Sequence, residues 1–132
     1  MRLRHTTLVV DEYDAAITFF VEVLGFELVE DSPATTSTTG AAKRWVVVRP
    51  PGADTGLLLA RADDDRQRAA VGDQFAGRVG HFLEVDDAAA EYERLVALGV
   101  EFEGPPPRVE AYGTVAVFRD VAGNRWDLLS GP

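Results

Sequence analysis

The stretch His5-Thr6-Thr7-Leu8-Val9-Val10-Asp11 decides the fold, because it opens a series of elements that the chain repeats. It lies in a run from Leu3 to Asp11 that is rich in Leu, Val and Thr, a composition that predicts a β-strand. A corresponding run, Val79–Val85, predicts a strand later in the chain. Each run is followed by residues with helical periodicity, so the sequence indicates one supersecondary unit used twice.

The first copy continues with a helix and three further strands. Apolar residues at i, i+3, i+4 and i+7 spacing predict the helix, and a glycine marks its end. The residues concerned are Ile17, Phe20, Val21 and Leu24, with Asp14 as the N-cap and Gly25 as the stop. The strands are predicted at Phe26–Glu30, Trp45–Val48 and Leu57–Leu59, and residues 32–40 are predicted to form a loop.

The second copy repeats this order after a polar connector at residues 61–77. Its helix is predicted to be capped by Asp86 or Asp87 and to end at Gly99. The stretch Gly104–Pro107 is predicted to break the secondary structure, because proline cannot donate a backbone hydrogen bond. The remaining strands are predicted at Val100–Glu103, Thr114–Arg119 and Arg125–Leu129.

Two modules of the βαβββ type predict an α+β protein. Neither four-stranded half can bury its apolar face alone, so the two modules must pack together. We expect one domain over residues 1–132, a length that allows a substantial core. The first module is expected at about residues 1–60, the connector at about residues 61–77 and the second module at about residues 78–132.

The composition disfavours several kinds of function. A formal net charge of −9 argues against nucleic acids and anionic membranes as partners, because both attract Lys and Arg. With no cysteine, the chain has no disulfide framework, no thiolate nucleophile and no cysteine-based zinc site. No apolar run reaches the length that crosses a bilayer, and we expect a cytoplasmic protein.

The two histidines of the chain, His5 and His81, stand at the start of the two copies. Equivalent positions in a paired-module fold approach a shared pseudo-twofold axis, so we expect these imidazoles to converge on one site. Asp127, in the last strand of the second copy, would complete a 2-His-1-carboxylate metal site with open coordination positions. The alternative is that both histidines are ordinary core or surface residues, and that Asp127 caps a turn or pairs with an arginine.

Three parts of the chain resemble the vicinal oxygen chelate superfamily. They are His5–Asp11, Phe19–Phe20 with Leu24–Phe26, and Phe118–Asp120 with Gly123–Leu128. This superfamily includes glyoxalase I, extradiol dioxygenases, fosfomycin-resistance transferases, methylmalonyl-CoA epimerase and bleomycin-binding proteins. The resemblance implies that the two modules pair into a half-open barrel and that the protein forms a homodimer. It says little about the reaction, because one scaffold hosts many chemistries.

The resemblance also implies a metal site whose ligands come from the first and last strands of each module. His5, His81 and Asp127 match three of these positions, and the fourth falls on Leu57, which cannot bind a metal. Aspartate stands where the superfamily usually has glutamate. The implied cofactor is a divalent ion, Fe²⁺, Mn²⁺, Ni²⁺ or Zn²⁺, that chelates two vicinal oxygens of a small-molecule substrate and acts as a Lewis acid.

The reaction stays open at this point. A metal-dependent lyase, isomerase, dioxygenase or thiol transferase is consistent with three ligands, although Leu57 disfavours glyoxalase I itself. A dioxygenase also lacks a spare histidine, because both imidazoles are assigned to the metal. The alternative is a metal-free protein that sequesters a small molecule, as bleomycin-binding members do. Trp45 and Trp126 are compatible with a flat, cationic ligand.

Three further residues are candidates for contacts with the substrate. Tyr112, in a loop flanked by Gly and Pro, is a candidate catalytic residue that polarises a substrate oxygen, and its alternative role is packing. Thr7 lies two residues after His5 and therefore on the same strand face, where it can donate a hydrogen bond to a metal-bound ligand. Trp45 begins a strand and is a candidate to line the substrate cavity.

Overall fold

The computed structural model describes residues 1–34 and 42–132. These residues form two compact units, residues 1–72 and residues 73–132, which we call unit 1 and unit 2. The boundary between the units lies inside the predicted connector. Within the described ranges, none of the helices is both long and apolar enough to span a membrane.

Unit 1 contains a four-stranded mixed sheet. Its elements are β1 (His5–Val10), α1 (Tyr13–Ile17), a π-helical segment (Thr18–Val23), β2 (Glu27–Ala34), β3 (Lys43–Arg49), β4 (Gly56–Arg61) and α2 (Asp65–Ala70). The strand order is β1-β4-β3-β2. The β1–β4 pair is parallel and the other two pairs are antiparallel, as expected for a module whose first and last strands meet.

The core of unit 1 lies between the sheet and α1. Leu8, Leu59 and Val46 are fully buried and stand side by side on neighbouring strands. Arg44, two residues before Val46, lies 5.1 Å from the ring centroid of Tyr13 in α1, so this face of the sheet is turned toward the helix. We call it the helix face, and we call the opposite face of the sheet the far face.

The first helix differs from its prediction. It begins at Tyr13 after the N-cap Glu12, so the predicted cap Asp14 is wrong. From Thr18 to Val23 the helix widens to a π-helix, which changes the number of residues per turn. Phe20 is fully buried, and burial of such a side chain contributes about 1.5–3 kcal/mol. The simple 3.6-residue spacing therefore describes only part of this helix.

Unit 2 repeats the order of elements found in unit 1. It consists of β5 (Val79–Glu84), α3 (Ala88–Ala97), β6 (Phe102–Glu110), β7 (Gly113–Arg119) and β8 (Arg125–Ser130). The strand order is β5-β8-β7-β6, with β5 parallel to β8. Ser130 Oγ accepts a hydrogen bond from the Ala88 N–H of α3, so the face of β8 that carries Ser130 is the helix face of unit 2. Two four-stranded mixed sheets with a few helices confirm the predicted α+β class.

The predicted loop after the second strand is wrong at its start. Residues 32–34 continue β2 and pair with β3, in the register Ser32↔Trp45 to Ala34↔Lys43. Proline is tolerated at position 33 because β2 is an edge strand of its sheet. The rest of the predicted loop, residues 35–40, lies outside the described residues.

The predicted break at residues 104–107 is also only half correct. The strand β6 continues from Phe102 to Glu110, but its register on β7 shifts between Glu103 and Arg108. Glu103 pairs with Val117 and Arg108 with Val115, so four residues of β6 stand opposite one residue of β7. Because the prolines have no N–H to donate, they interrupt the ladder while the chain remains extended.

Candidate functional site

The far face of unit 1 brings together three of the predicted site residues. Side chains alternate along a strand, so His5 and Thr7 lie opposite Leu8 and Val10, the buried helix-face residues of β1. Trp45 lies on the same far face, one residue before the helix-face residue Val46. The rings of His5 and Trp45 meet edge to face, with centroids 6.3 Å apart.

His5 and Trp45 differ in their exposure to solvent. The His5 Nδ1 atom is buried and has no hydrogen-bond partner in the described part of the chain. Trp45 is 40% exposed, which leaves much of its ring available to a ligand. Trp45 also lines a pocket of about 160 Å³, and the other lining residues come from both faces: Leu58 and Ala60 from the far face, and Tyr13, Arg44 and Leu59 from the helix-face side. The predicted cavity-lining role of Trp45 remains a prediction, but its position suits that role.

The strand register of unit 2 separates two of the predicted metal ligands. His81 pairs with Trp126 in the parallel β5–β8 ladder, and Asp127 pairs with the next residue, Phe82. Paired residues share a face of the sheet and successive residues alternate. Trp126 lies on the helix face, four residues before Ser130. His81 therefore lies on the helix face, and Asp127 lies on the far face of the same sheet.

On the helix face, His81 is held in an aromatic stack. Its ring lies 4.5 Å from the Trp126 ring in a stacked arrangement and 5.1 Å from the Phe75 ring in an edge-on arrangement. Burial lowers the pKa of His81 below 6.5, and the negative charge of Asp120 opposes this shift. A Cβ at Gly80 would overlap the Phe75 ring, so only glycine leaves room for this packing.

The same register corrects the predicted equivalence of the two histidines. The row Leu8–Leu59–Val46 of unit 1 corresponds to the row Leu83–Leu128–Ala116 of unit 2, since both rows lie on the helix face. Counting back two residues from Leu83 makes Thr6 the counterpart of His81. One residue further back, Gly80 stands at the chain position that corresponds to His5, within an irregularity of the β5–β8 register. The expectation that the imidazoles occupy equivalent positions is therefore wrong by one residue.

The counterpart of Asp127 shifts in the same way. Because Leu128 corresponds to Leu59, Asp127 corresponds to Leu58 rather than to Leu57. Leu57 is a buried helix-face residue that pairs with Thr6. The fourth ligand position of the predicted site is still apolar, since Leu58 cannot bind a metal either.

Asp127 lies near other charged side chains on the far face of unit 2. Burial raises the pKa of Asp127 above 3.8, while Arg108 and Arg125 lower it. Both arginines line a pocket of about 260 Å³ that lies beside the irregular part of β6. Glu103 also lines this pocket and is ion-paired with Arg125 at 2.7 Å. Within unit 2, Asp127 thus lies near two arginine side chains and on the face opposite His81.

The two predicted metal ligands of unit 2, His81 and Asp127, do not share a site within that unit. Across residues 1–34 and 42–132, no three His, Cys, Asp or Glu side chains are grouped closely enough to hold a metal ion. Within unit 2 the cause is the opposite orientation of His81 and Asp127. The assignment of His5, His81 and Asp127 as metal ligands stays a prediction that this register does not support.

The other two predicted contact residues are both exposed. Tyr112 is 65% exposed in the turn between β6 and β7, so the alternative packing role is wrong, and its catalytic role stays a prediction. Thr7 is exposed on the far face of β1, two residues from His5. Its predicted role as a hydrogen-bond donor to a ligand also stays a prediction.

One buried polar residue was not predicted from the sequence. Asp120, in the turn between β7 and β8, is 6% exposed, and its carboxylate accepts five hydrogen bonds. The donors are the backbone N–H groups of Ala122, Gly123 and Asn124, the Asn124 side chain and the Trp126 indole N–H. The signal was the Asp-x-x-Gly-Asn spacing, since short acidic side chains hydrogen-bond backbone groups of turns. Through Trp126, this carboxylate orients the stack that holds His81.

Comparisons with known proteins agree with the fold. A sequence model of the Glyoxalase/Bleomycin resistance protein/Dioxygenase superfamily matches residues 2–128. A protein of Shewanella frigidimarina (strain NCIMB 400) is 48% identical over 126 residues, which cover 95% of this chain and 90% of that protein.

Two solved structures are also similar. UcmS2 has a TM-score of 0.79 and 32% identity, covering 98% of this chain and 97% of its own. TnmS3, an antibiotic binding protein from Streptomyces sp. CB03234, has a TM-score of 0.76 and 29% identity, covering 100% of this chain and 97% of its own. From the matched sequence and these relatives, the chain belongs to the Glyoxalase/Bleomycin resistance protein/Dioxygenase superfamily.

Proposed function

We propose that the protein binds a small, flat organic molecule without the help of a metal ion. The observation that carries this proposal is the placement of His81 and Asp127 on opposite faces of one sheet. A 2-His-1-carboxylate site needs its three ligands around a single ion. A metal-dependent lyase, dioxygenase or transferase therefore has less support than a binding function.

Trp45 and the pocket beside it supply the groups that a flat ligand needs. The exposed part of the Trp45 ring offers an aromatic surface, and Leu58 and Ala60 of the adjacent pocket add apolar contacts. The pocket volume of about 160 Å³ is close to that of a cavity that holds one aromatic ring. We expect one ring of the ligand to enter the pocket and the remainder to lie along the far face.

A relative supports the same class of function. TnmS3, with 29% identity over nearly the whole of both chains, is described as an antibiotic binding protein. Small-molecule sequestration by this protein agrees with that description and requires no catalytic group. It is also the function that best accommodates an exposed tryptophan beside an imidazole whose Nδ1 atom has no hydrogen-bond partner in the described residues.

The test combines metal analysis with ligand titration. The purified protein is incubated with Mn²⁺, Fe²⁺, Ni²⁺ or Zn²⁺, dialysed and analysed for bound metal. It is then titrated with neutral, anionic and cationic naphthalene probes while tryptophan fluorescence is followed. We expect binding of at least one probe in the presence of EDTA. Trp45→Ala should weaken it about tenfold, because a stacking surface is lost.

Val96→Ala is the matched control, since Val96 is an exposed apolar residue on α3 of the other unit. This variant should bind the probe as the parent protein does. A stoichiometric divalent ion that disappears in both His5→Ala and Asp127→Ala would contradict the proposal and restore the metal-dependent enzyme. Equal losses of probe affinity in Trp45→Ala and Val96→Ala would also contradict it.

A further inference from the structure

Lys43 is the single lysine of the sequence, beside twelve arginines. It is exposed and lines the pocket of about 160 Å³ that Trp45 also lines. Because Lys43 precedes Trp45 by two residues in β3, the two side chains lie on the same far face, about 7 Å apart along the strand. A ligand that contacts the indole ring can therefore also reach the Lys43 ammonium.

The other cation that lines this pocket, Arg44, is already paired with two carboxylates. Its Nε and Nη2 donate to the two oxygens of Asp31 at 3.1 and 2.7 Å, and its Nη1 donates to Asp14 at 2.8 Å. Asp31 pairs with the helix-face residue Val46, and Asp14 belongs to α1. Both carboxylates thus hold the Arg44 charge on the side of the sheet opposite Lys43.

Within residues 1–34 and 42–132, the Lys43 ammonium makes no ion pair and no hydrogen bond. The described residues that line the pocket include no Asp or Glu. On the far face of β2, the acidic residue nearest to Lys43 is Glu30, which pairs with Val47, four residues further along β3. That separation of about 13 Å exceeds the screening length of about 8 Å at physiological ionic strength. Residues 35–41 contain no acidic residue either, although the whole chain has 22.

The polarity of the pocket suits a ligand with one apolar part and one negatively charged part. Its far-face wall is apolar at Leu58, Ala60 and Trp45, and Lys43 adds a positive charge to it. A cation beside an apolar wall attracts an anion more strongly than a cation in open water does, because less solvent screens the charge. An ammonium lacks the planar fork of a guanidinium, so it pairs with carboxylates and other oxyanions alike.

We propose that the pocket selects flat aromatic molecules that carry an oxyanion, and that this oxyanion pairs with Lys43 while the ring contacts Trp45. The proposal rests on the proposed binding function and adds the charge of the ligand to it. A neutral molecule of the same shape lacks the ion pair, and Lys43 repels a cationic one. The expected order of affinity is therefore anionic, then neutral, then cationic.

The charge preference is tested with 2-naphthoate, 2-naphthalenesulfonate and the neutral 2-naphthamide. Each probe is added to the full chain in the presence of EDTA while tryptophan fluorescence is followed. We expect both anions to bind about fivefold more tightly than the amide, because one partly exposed ion pair is gained. Lys43→Gln should make the three affinities equal, and Lys43→Arg, which retains the charge, should keep the preference.

Arg66→Gln is the matched control, because it removes an exposed cation of α2 in the same unit and changes the net charge by the same amount. This variant should keep the preference of the parent protein. Equal affinities in the parent, or a preference that survives in Lys43→Gln, would overturn the charge proposal and leave the binding function intact. Failure of all three probes to bind would overturn both.

Chemical labelling checks the contact itself, since the chain has two amines, the Lys43 ε-amine and the Met1 α-amine. The protein is acetylated with limiting N-hydroxysuccinimidyl acetate, and each site is quantified by mass spectrometry. Bound 2-naphthoate should reduce the acetylation of Lys43 in proportion to its occupancy, and the labelling of Met1 should stay constant. Equal protection of both amines, or of neither while the probe is bound, would overturn the Lys43 contact.

Discussion

Asp120 shows how one buried carboxylate organises a turn. Its Oδ1 accepts the N–H groups of Ala122, Gly123 and Asn124 at 2.9–3.0 Å, and its Oδ2 accepts the Trp126 indole N–H at 2.9 Å. A hydrogen bond to a charged group is stronger than one between neutral groups. A donor that loses its acceptor and stays buried destabilises the folded state. The turn and the indole thus depend on a single side chain.

We expect Asp120→Ala to lower the free energy of unfolding by about 3 kcal/mol, because several buried donors lose their acceptor. Urea denaturation followed by circular dichroism measures this change. Asp54→Ala is the matched control, since Asp54 is an exposed aspartate in the corresponding turn between β3 and β4. That variant should differ from the parent by less than about 0.5 kcal/mol. Similar losses in the two variants would refute the role of the buried carboxylate.

The aromatic stack gives His81 a defined effect on stability. Because burial lowers its pKa below 6.5, the unfolded chain binds a proton at pH values at which the folded chain does not. The contribution of neutral His81 to stability is therefore complete above pH 6.5 and is lost as the pH falls through the lowered folded-state pKa.

His81→Phe should remove this part of the pH dependence, since phenylalanine can stack on Trp126 and has no proton to gain. The measurement is the free energy of unfolding at about pH 7.5 and about pH 5.5, a range in which histidine titrates and most carboxylates do not. We expect the parent protein to lose more stability between these pH values than the variant. His5 is present in both proteins and therefore does not contribute to the difference between them. An equal loss would show that His81 does not contribute.

The predicted equivalence of the two histidines was wrong at the scale of single residues. Their placement near the start of each copy suggested equivalence, but position along the chain does not fix orientation when one residue decides the face. The alternation of apolar residues indicates the correct alignment of the two copies, because Leu83 and Val85 repeat the spacing of Leu8 and Val10. Aligning those apolar pairs would have matched His5 with Gly80.

At the scale of secondary-structure elements, α3 has an N-cap for which the sequence indicated two candidates, Asp86 and Asp87. Asp87 is the N-cap, and its side chain accepts the Ala90 N–H at 3.0 Å. Asp86 is exposed and lies one residue earlier. Asp87→Ala should destabilise the protein by about 1 kcal/mol, because an N-cap acceptor is lost. Asp86→Ala, which removes the same charge, should be nearly neutral in urea denaturation. The reverse order of effects would reassign the cap.

The irregular elements were harder to predict than the regular ones. The prolines of residues 104–107 correctly indicated a loss of ladder hydrogen bonds, but not that the chain would continue in the same direction. The π-helical segment at Thr18–Val23 was not predicted either. In both cases tertiary packing selects the backbone geometry, and a pattern with a fixed period cannot represent an added residue.

At the scale of the whole molecule, the repeat was the most informative property of the sequence. It correctly predicted the order of elements and the α+β class, because apolar periodicity and glycine stops recur in both halves. The site residues stay predictions, and the metal ligands among them depended on matching His5 with His81. The homodimer, the cytoplasmic location and the single domain stay predictions.

The prolines of β6 have a consequence for aggregation. β6 lies at the edge of its sheet, where unpaired backbone groups can recruit a strand from another molecule. Pro105, Pro106 and Pro107 offer no N–H to such a strand, and the irregular register bends the edge. The same residues that interrupt pairing inside the sheet therefore protect the protein from fibril-like assembly along this edge.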